Sequence, residues 1–100
     1  MSKTNLRALS SMLPETWRSK AVGLAAGANI KVLRMDGAAS GEEPHVYAEG
    51  LLVLDGELKL GIGGGVVTVS AGEIYIVPAN TPHAVAAGSH GTLVIIDRDE

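Results

Sequence analysis

The sequence predicts an all-β sandwich or barrel, on three observations. Short aliphatic segments recur along the chain, Gly, Asn and Asp turn signals separate them every eight to twelve residues, and the intervals are too short for crossover helices. At 100 residues the chain has the length of one domain. Its core must be aliphatic, because Phe is absent and only Trp17, Tyr47 and Tyr75 are aromatic. The expected division is an arm or short helix over 1–19 and a β domain over 20–100.

In chain order, Leu6, Leu9 and Leu13 fall at helical spacing, and Pro14 marks the stop. Eight strands are then expected: Ala21 to Leu24, Ile30 to Met35, Leu51 to Leu54, Leu58 to Ile62, Val66 to Val69, Ile74 to Val77, His83 to Ala86 and Thr92 to Ile96. Asp55-Gly56 reads as the turn between the third and fourth. Leu93-Val94-Ile95-Ile96 is apolar on both faces, which calls for a barrel whose outer wall is covered, by a second subunit for example. A homodimer is the expected assembly.

Composition excludes several classes. The absence of Cys rules out disulfides, thiolate metal sites and a cysteine nucleophile. The eight Lys and Arg are scattered and the net charge is -3, so no basic stripe favours nucleic acid. No apolar run reaches the ~20 residues that span a bilayer, and residues 1–20 lack the apolar stretch of a secretory signal. A cytoplasmic location is the expectation. Gly61-Ile62-Gly63-Gly64-Gly65-Val66 lacks the Lys-Ser/Thr of a phosphate loop and joins two strands, so it reads as a hairpin turn.

Ionisable residues cluster at Glu42, Glu43, His45 and Glu49, with His83 far away in sequence. In a strand, Glu43, His45, Tyr47 and Glu49 share parity and face one side. Imidazoles and carboxylates converging inside a barrel are donors suited to Zn, Fe, Mn or Ni. Without a metal they must bond to one another or to water. His90, in a Gly-Ser-His-Gly turn, reads as solvated. Trp17 caps the barrel or lies in a dimer interface, and Tyr47 and Tyr75 either pack or orient a ligand.

The segment GAASGEEPHVYAEGLLVLDG, Gly37 to Gly56, resembles the first motif of the cupin family, G-x5-H-x-H-x3-E-x6-G. Glu43 stands where that motif has its first histidine. The segment GEIYIVPANTPHAVAA, Gly72 to Ala87, resembles the second motif, G-x5-P-x-G-x2-H-x3-N, with Asn80 in place of the glycine and Ala87 in place of the asparagine. The resemblance implies an antiparallel cupin-type β-barrel (jelly roll). By position it implies Glu43, His45, Glu49 and His83 as ligands of a divalent metal. Two carboxylates would neutralise such an ion and favour Mn(II) or Fe(II), whereas the affinity order favours Zn or Ni. The expected function is a small protein holding a divalent metal and a small organic ligand. The alternative is a metal-dependent oxygenase, isomerase or lyase; no separate general acid or base stands out.

Overall fold

The computed structural model describes residues 3–41 and 44–98, so Glu42 and Glu43 lie outside the described residues. One helix, α1 (Leu6–Met12), precedes seven strands: β1 (Lys20–Ala25), β2 (Ala28–Asp36), β3 (Glu49–Ile62), β4 (Gly65–Ser70), β5 (Ile74–Val77), β6 (His83–Val85) and β7 (His90–Arg98). All pairings are antiparallel, in the order β1-β2-β7-β3-β4, with β5 and β6 also on β3. The sheet rolls into a barrel-like shape without closing β1 onto β4. Among the described residues no helix is long and apolar enough to cross a membrane.

Two of the eight expected strands are one. Asp55-Gly56 is not a hairpin turn; β3 runs through it and pairs with four other strands. Its N-terminal half carries β5 and β7, and its C-terminal half carries β4 and β6. Opposite β7 the register passes from Val53↔Leu93 to Asp55↔Thr92, leaving Leu54 as the extra residue of a bulge. That residue reverses parity. Leu51 and Val53 face the core before the bulge, and Leu58 and Leu60 face it after.

At this crossing Gly56 pairs with Gly91, both at positive φ (+75° and +99°). A Cβ on Gly56 would lie 2.1 Å from the His90 carbonyl oxygen, and one on Gly91 would lie 2.1 Å from that of Asp55. Only two hydrogen atoms fit there. The Asp55 carboxylate accepts from the Thr92 amide at 3.0 Å, and Arg7 of α1 donates to the Leu54 carbonyl at 2.8 Å.

The central residues of the doubly apolar β7 are buried within the chain itself. Leu93 belongs to the core, while Val94 is buried on the opposite face beside its partner Val32. The neighbouring pair Arg34↔Thr92 shares that outward parity and holds α1. The Arg34 guanidinium donates to the Ser10 and Leu13 carbonyls at 2.9 and 2.8 Å, and the Thr92 hydroxyl donates to Ser10 Oγ at 3.1 Å. A cation at a helix C-terminus supplies donors to its last carbonyls and complements the helix dipole. The expected N-terminal helix is therefore present and packs on the Arg34 and Thr92 end of that face.

Gly91→Ala should cost at least about 3 kcal/mol, because it adds backbone overlap to the strain of a positive φ. Gly63→Ala, also at positive φ (+63°) but with nothing within 4 Å, should cost about 1–2 kcal/mol. Urea unfolding of the two variants checks the difference; equal losses would reject the close crossing.

Candidate functional site

From residue 44 to residue 48 the backbone is not the strand that the alternation of Glu43, His45, Tyr47 and Glu49 assumes, and Glu43 itself lies outside the described residues. A bend occupies residues 46–47, and Glu49 is the first residue of β3. Pro44 removes one backbone donor from any ladder there. His45 nevertheless reaches the barrel mouth, because its carbonyl accepts from the Asn80 amide at 2.6 Å. Asn80 has φ +58°, the left-handed conformation for which Gly and Asn are suited, so the substitution in the second motif preserves the turn. The two motifs are joined through that bond. The segment after β2 is pinned in turn by Ser40 and Val85, which exchange backbone bonds of 3.0 and 2.9 Å.

His83 opens β6, which pairs with the far half of β3, yet its ring faces Glu49 across the interior. His83 Nε2 lies 3.3 Å from Glu49 Oε1, and His45 Nε2 lies 3.8 Å from Glu49 Oε2. The side chains of His83 and Glu49 are only 1% and 3% exposed, while that of His45 is 30% exposed. The His45 ring stacks on Tyr47, with centroids 5.0 Å apart and planes 5° from parallel, which fixes its orientation. Tyr47 thus orients a histidine.

The other edge of the His83 ring decides its tautomer. Nδ1 lies 2.9 Å from the Thr81 carbonyl oxygen, which can only accept, so Nδ1 carries a proton. Nε2 then faces a buried carboxylate oxygen. In neutral imidazole this nitrogen is a lone pair, and two acceptors oppose each other. Only a cation between them, proton or metal, makes the contact favourable.

Three of the residues named from the sequence, His45, Glu49 and His83, thus contact one another; Glu43 lies outside the described residues. Among the described residues no group of three His, Asp or Glu side chains stands in finished metal-holding geometry. The two oxygens of Glu49 turn to different rings, and the ring centroids are 6.3 Å apart. The donor types suit a divalent ion, and binding would require the carboxylate and rings to close on one point.

His45 and Glu49 line a cavity of about 310 Å³, floored by Leu33, Leu51, Leu93 and Ile95, and His83 is buried behind Glu49. Its size suits a small molecule. Lys31 and Asp97, which the motifs pass over, line the same cavity. Lys31 shares parity with Leu33 and Met35 on β2, a sequence signal for an inward lysine.

Trp17 also lines the cavity, at φ +63°, a conformation that costs a bulky residue about 1–2 kcal/mol. Its amide donates to the Arg34 carbonyl at 2.9 Å, and its indole N–H donates to Asp36 Oδ1 at 2.6 Å. That indole bond, with the Ala38 amide and the Thr16 hydroxyl, holds the Asp36 carboxyl below its ordinary 3.8. The tryptophan caps the barrel mouth. His90 is exposed, as expected, but it begins β7 rather than lying in a turn.

Residues 32–97 match the family model described as Cupin domain. Over 77 residues the chain is 33% identical to quercetin 2,3-dioxygenase of Bacillus subtilis (strain 168), an alignment covering 73% of this chain and 23% of that protein. A cupin-2 domain containing protein from Shewanella frigidimarina superposes with a TM-score of 0.87 at 20% identity, over 96% of this chain and 94% of that one. A protein from Neisseria meningitidis gives 0.83 at 21% identity, over 98% and 100%. The likeness to these two structures is one of fold.

Because the folded pKa of Asp36 is lowered, its stabilising bonds are fully present above the unfolded value of 3.8 and are lost as pH falls through the folded one. Trp17 is the sole tryptophan, so its emission reports the latch directly. Acidification below about pH 4 should move that emission toward a solvated indole. Asp36→Asn should remove most of the acid transition, and a transition unchanged in the variant would rule out the latch.

Proposed function

The chain belongs to the cupin family, and from that premise we propose that it holds a divalent metal ion at the barrel mouth, with a small organic ligand in the adjoining cavity. His45, Glu49 and His83 are the proposed ligands, with Glu43 as the fourth. The observation that carries the reading is the contact between His83 Nε2 and Glu49 Oε1 at 3.3 Å, given a proton already placed on Nδ1. A buried carboxylate facing a lone pair is costly; a proton relieves that one contact, whereas a divalent cation relieves it and also engages His45 on the other Glu49 oxygen. When bound, the metal supplies a Lewis acid that polarises a ligand oxygen.

The chain's own residues have separable tasks. Thr81 fixes the tautomer of His83 through its carbonyl, and Tyr47 holds the plane of the His45 ring. Trp17 and the aliphatic floor limit the water around a bound ligand. A second reading, a metal-dependent oxygenase, is favoured by the similarity to quercetin 2,3-dioxygenase. Oxygen uptake with quercetin by the metal-loaded protein separates it from a binding role.

Elemental analysis of the purified protein should find a divalent metal. Added Mn, Fe, Ni or Zn should raise the melting temperature of stripped wild type. His45→Ala and Glu49→Gln should weaken metal affinity by about 10–100-fold, measured by equilibrium dialysis. Equal melting shifts and equal affinities in all three proteins would reject the ligand set.

The expected homodimer is part of the same proposal, supported by Ile74 and Ile76, which are 49% and 56% exposed. Both approach Gly50 beside Ile96, making an aliphatic patch on the outer face. Sedimentation equilibrium at micromolar concentration should give a dimer mass, and Ile76→Lys should shift it toward monomer. A wild-type monomer would contradict this.

A further inference from the structure

Asp97 poses a problem that Lys31 solves only by half. Its side chain is 7% exposed, and Lys31 Nζ lies on Oδ2 at 2.9 Å. The other oxygen, Oδ1, is buried and has no hydrogen-bond partner among the described residues. Both residues line the cavity that also holds His45 and Glu49. A carboxylate oxygen shielded from water is one of the most demanding acceptors a protein contains, and buried polar atoms are otherwise nearly always satisfied.

The register explains why the pair faces the same interior. Gly50 pairs with Ile96, so the next position along the ladder sets Asp97 beside Glu49 at the mouth of the barrel. Lys31 shares the parity of the core residue Leu33 on β2, and its side chain remains 28% exposed. Its ammonium has three protons, one of them directed at Asp97. The cavity wall therefore carries a donor, Nζ, and beside it an unpartnered acceptor buried within the same carboxylate, which a turn of the Asp97 side chain would bring to the cavity.

We propose that Lys31 and Asp97 form a recognition pair for a small α-hydroxy acid or α-hydroxy carbonyl compound. Asp97 Oδ1 accepts from the ligand hydroxyl, and Lys31 Nζ donates to the neighbouring carboxylate or carbonyl oxygen. Oxygens on adjacent carbons match the adjacent donor and acceptor, and a hydroxyl gives Oδ1 the proton it lacks. The proposal rests on reading this cavity as a ligand site and does not require the metal.

The test compares glycolate with acetate and lactate with propionate, each pair differing by one hydroxyl. Binding is followed through Trp17 emission, on metal-stripped and on Zn-loaded protein. Without metal, each hydroxy acid should bind at least about tenfold more tightly than its deoxy partner, because a site built for a hydroxyl penalises its loss. Asp97→Asn should abolish that preference, since Lys31 holds the amide oxygen and the NH2 offers a donor where an acceptor was needed. Lys31→Met should weaken both acids of a pair while the hydroxyl preference remains. Equal affinities within the pairs on stripped wild type, no saturable binding of any of the four acids at millimolar concentration, or an undiminished preference in Asp97→Asn would each overturn the proposal. A preference that emerges only after Zn loading assigns the hydroxyl to the metal and also overturns it. Failure of the metal reading is distinct, because it leaves the stripped-protein preference intact.

Discussion

Everything in this fold hangs on the crossing of β3 and β7 at Gly56 and Gly91. A strand of fourteen residues cannot serve two walls of a small barrel unless it bends, and a bend alone would turn half of its apolar side chains outward. The extra residue at Leu54 solves both problems at once: the strand turns and its parity reverses, so Leu51, Val53, Leu58 and Leu60 all reach one core. The crossing demands backbones closer than any Cβ allows, and two glycines supply it. Arg7 and Asp55 then tie helix α1 to the bulge, and Arg34 and Thr92 complete its seat. The helix is thus part of the wall.

The site inherits its geometry from that bend. Glu49 begins β3, while His83 enters from β6, which rests on the other end of the same strand. Folding the strand over itself sets these two buried groups within 3.3 Å of each other. His45 joins them from a loop that the Asn80 amide holds by its carbonyl. One face of the cavity is consequently rich in metal-donor atoms, and the ladder position next to Glu49 carries the Lys31–Asp97 pair.

Much of the fold was legible because turn chemistry and aliphatic spacing are local. The helix at Leu6 to Met12, the glycine hairpin after Ile62 and most strand positions follow from short windows of sequence. Asp55-Gly56 misled because a hairpin turn and a bulged crossing both need positive φ, and only the partner strand distinguishes them. Strict alternation failed at His45, since Pro44 and the bends beside it lie outside any ladder; long-range bonds place that side chain. The seat of the helix on the outer face of β2 and β7 is made by Arg34 and Thr92, contacts that spacing alone does not reveal. Lys31 and Asp97 escaped notice because their meaning depends on facing a shared cavity, 66 residues apart.

Glu49 faces the imidazole nitrogen of His83 across a contact that only a cation, proton or metal, makes favourable. Long-range ¹H–¹⁵N correlation spectra of the histidine side chains, recorded with and without added Zn, test it most directly. His83 Nδ1 should keep its proton in both samples while Nε2 of His83 and of His45 move to the shifts of metal-bound nitrogen. A proton resident on His83 Nε2 with Nδ1 bare, or imidazole resonances indifferent to the metal, would contradict it.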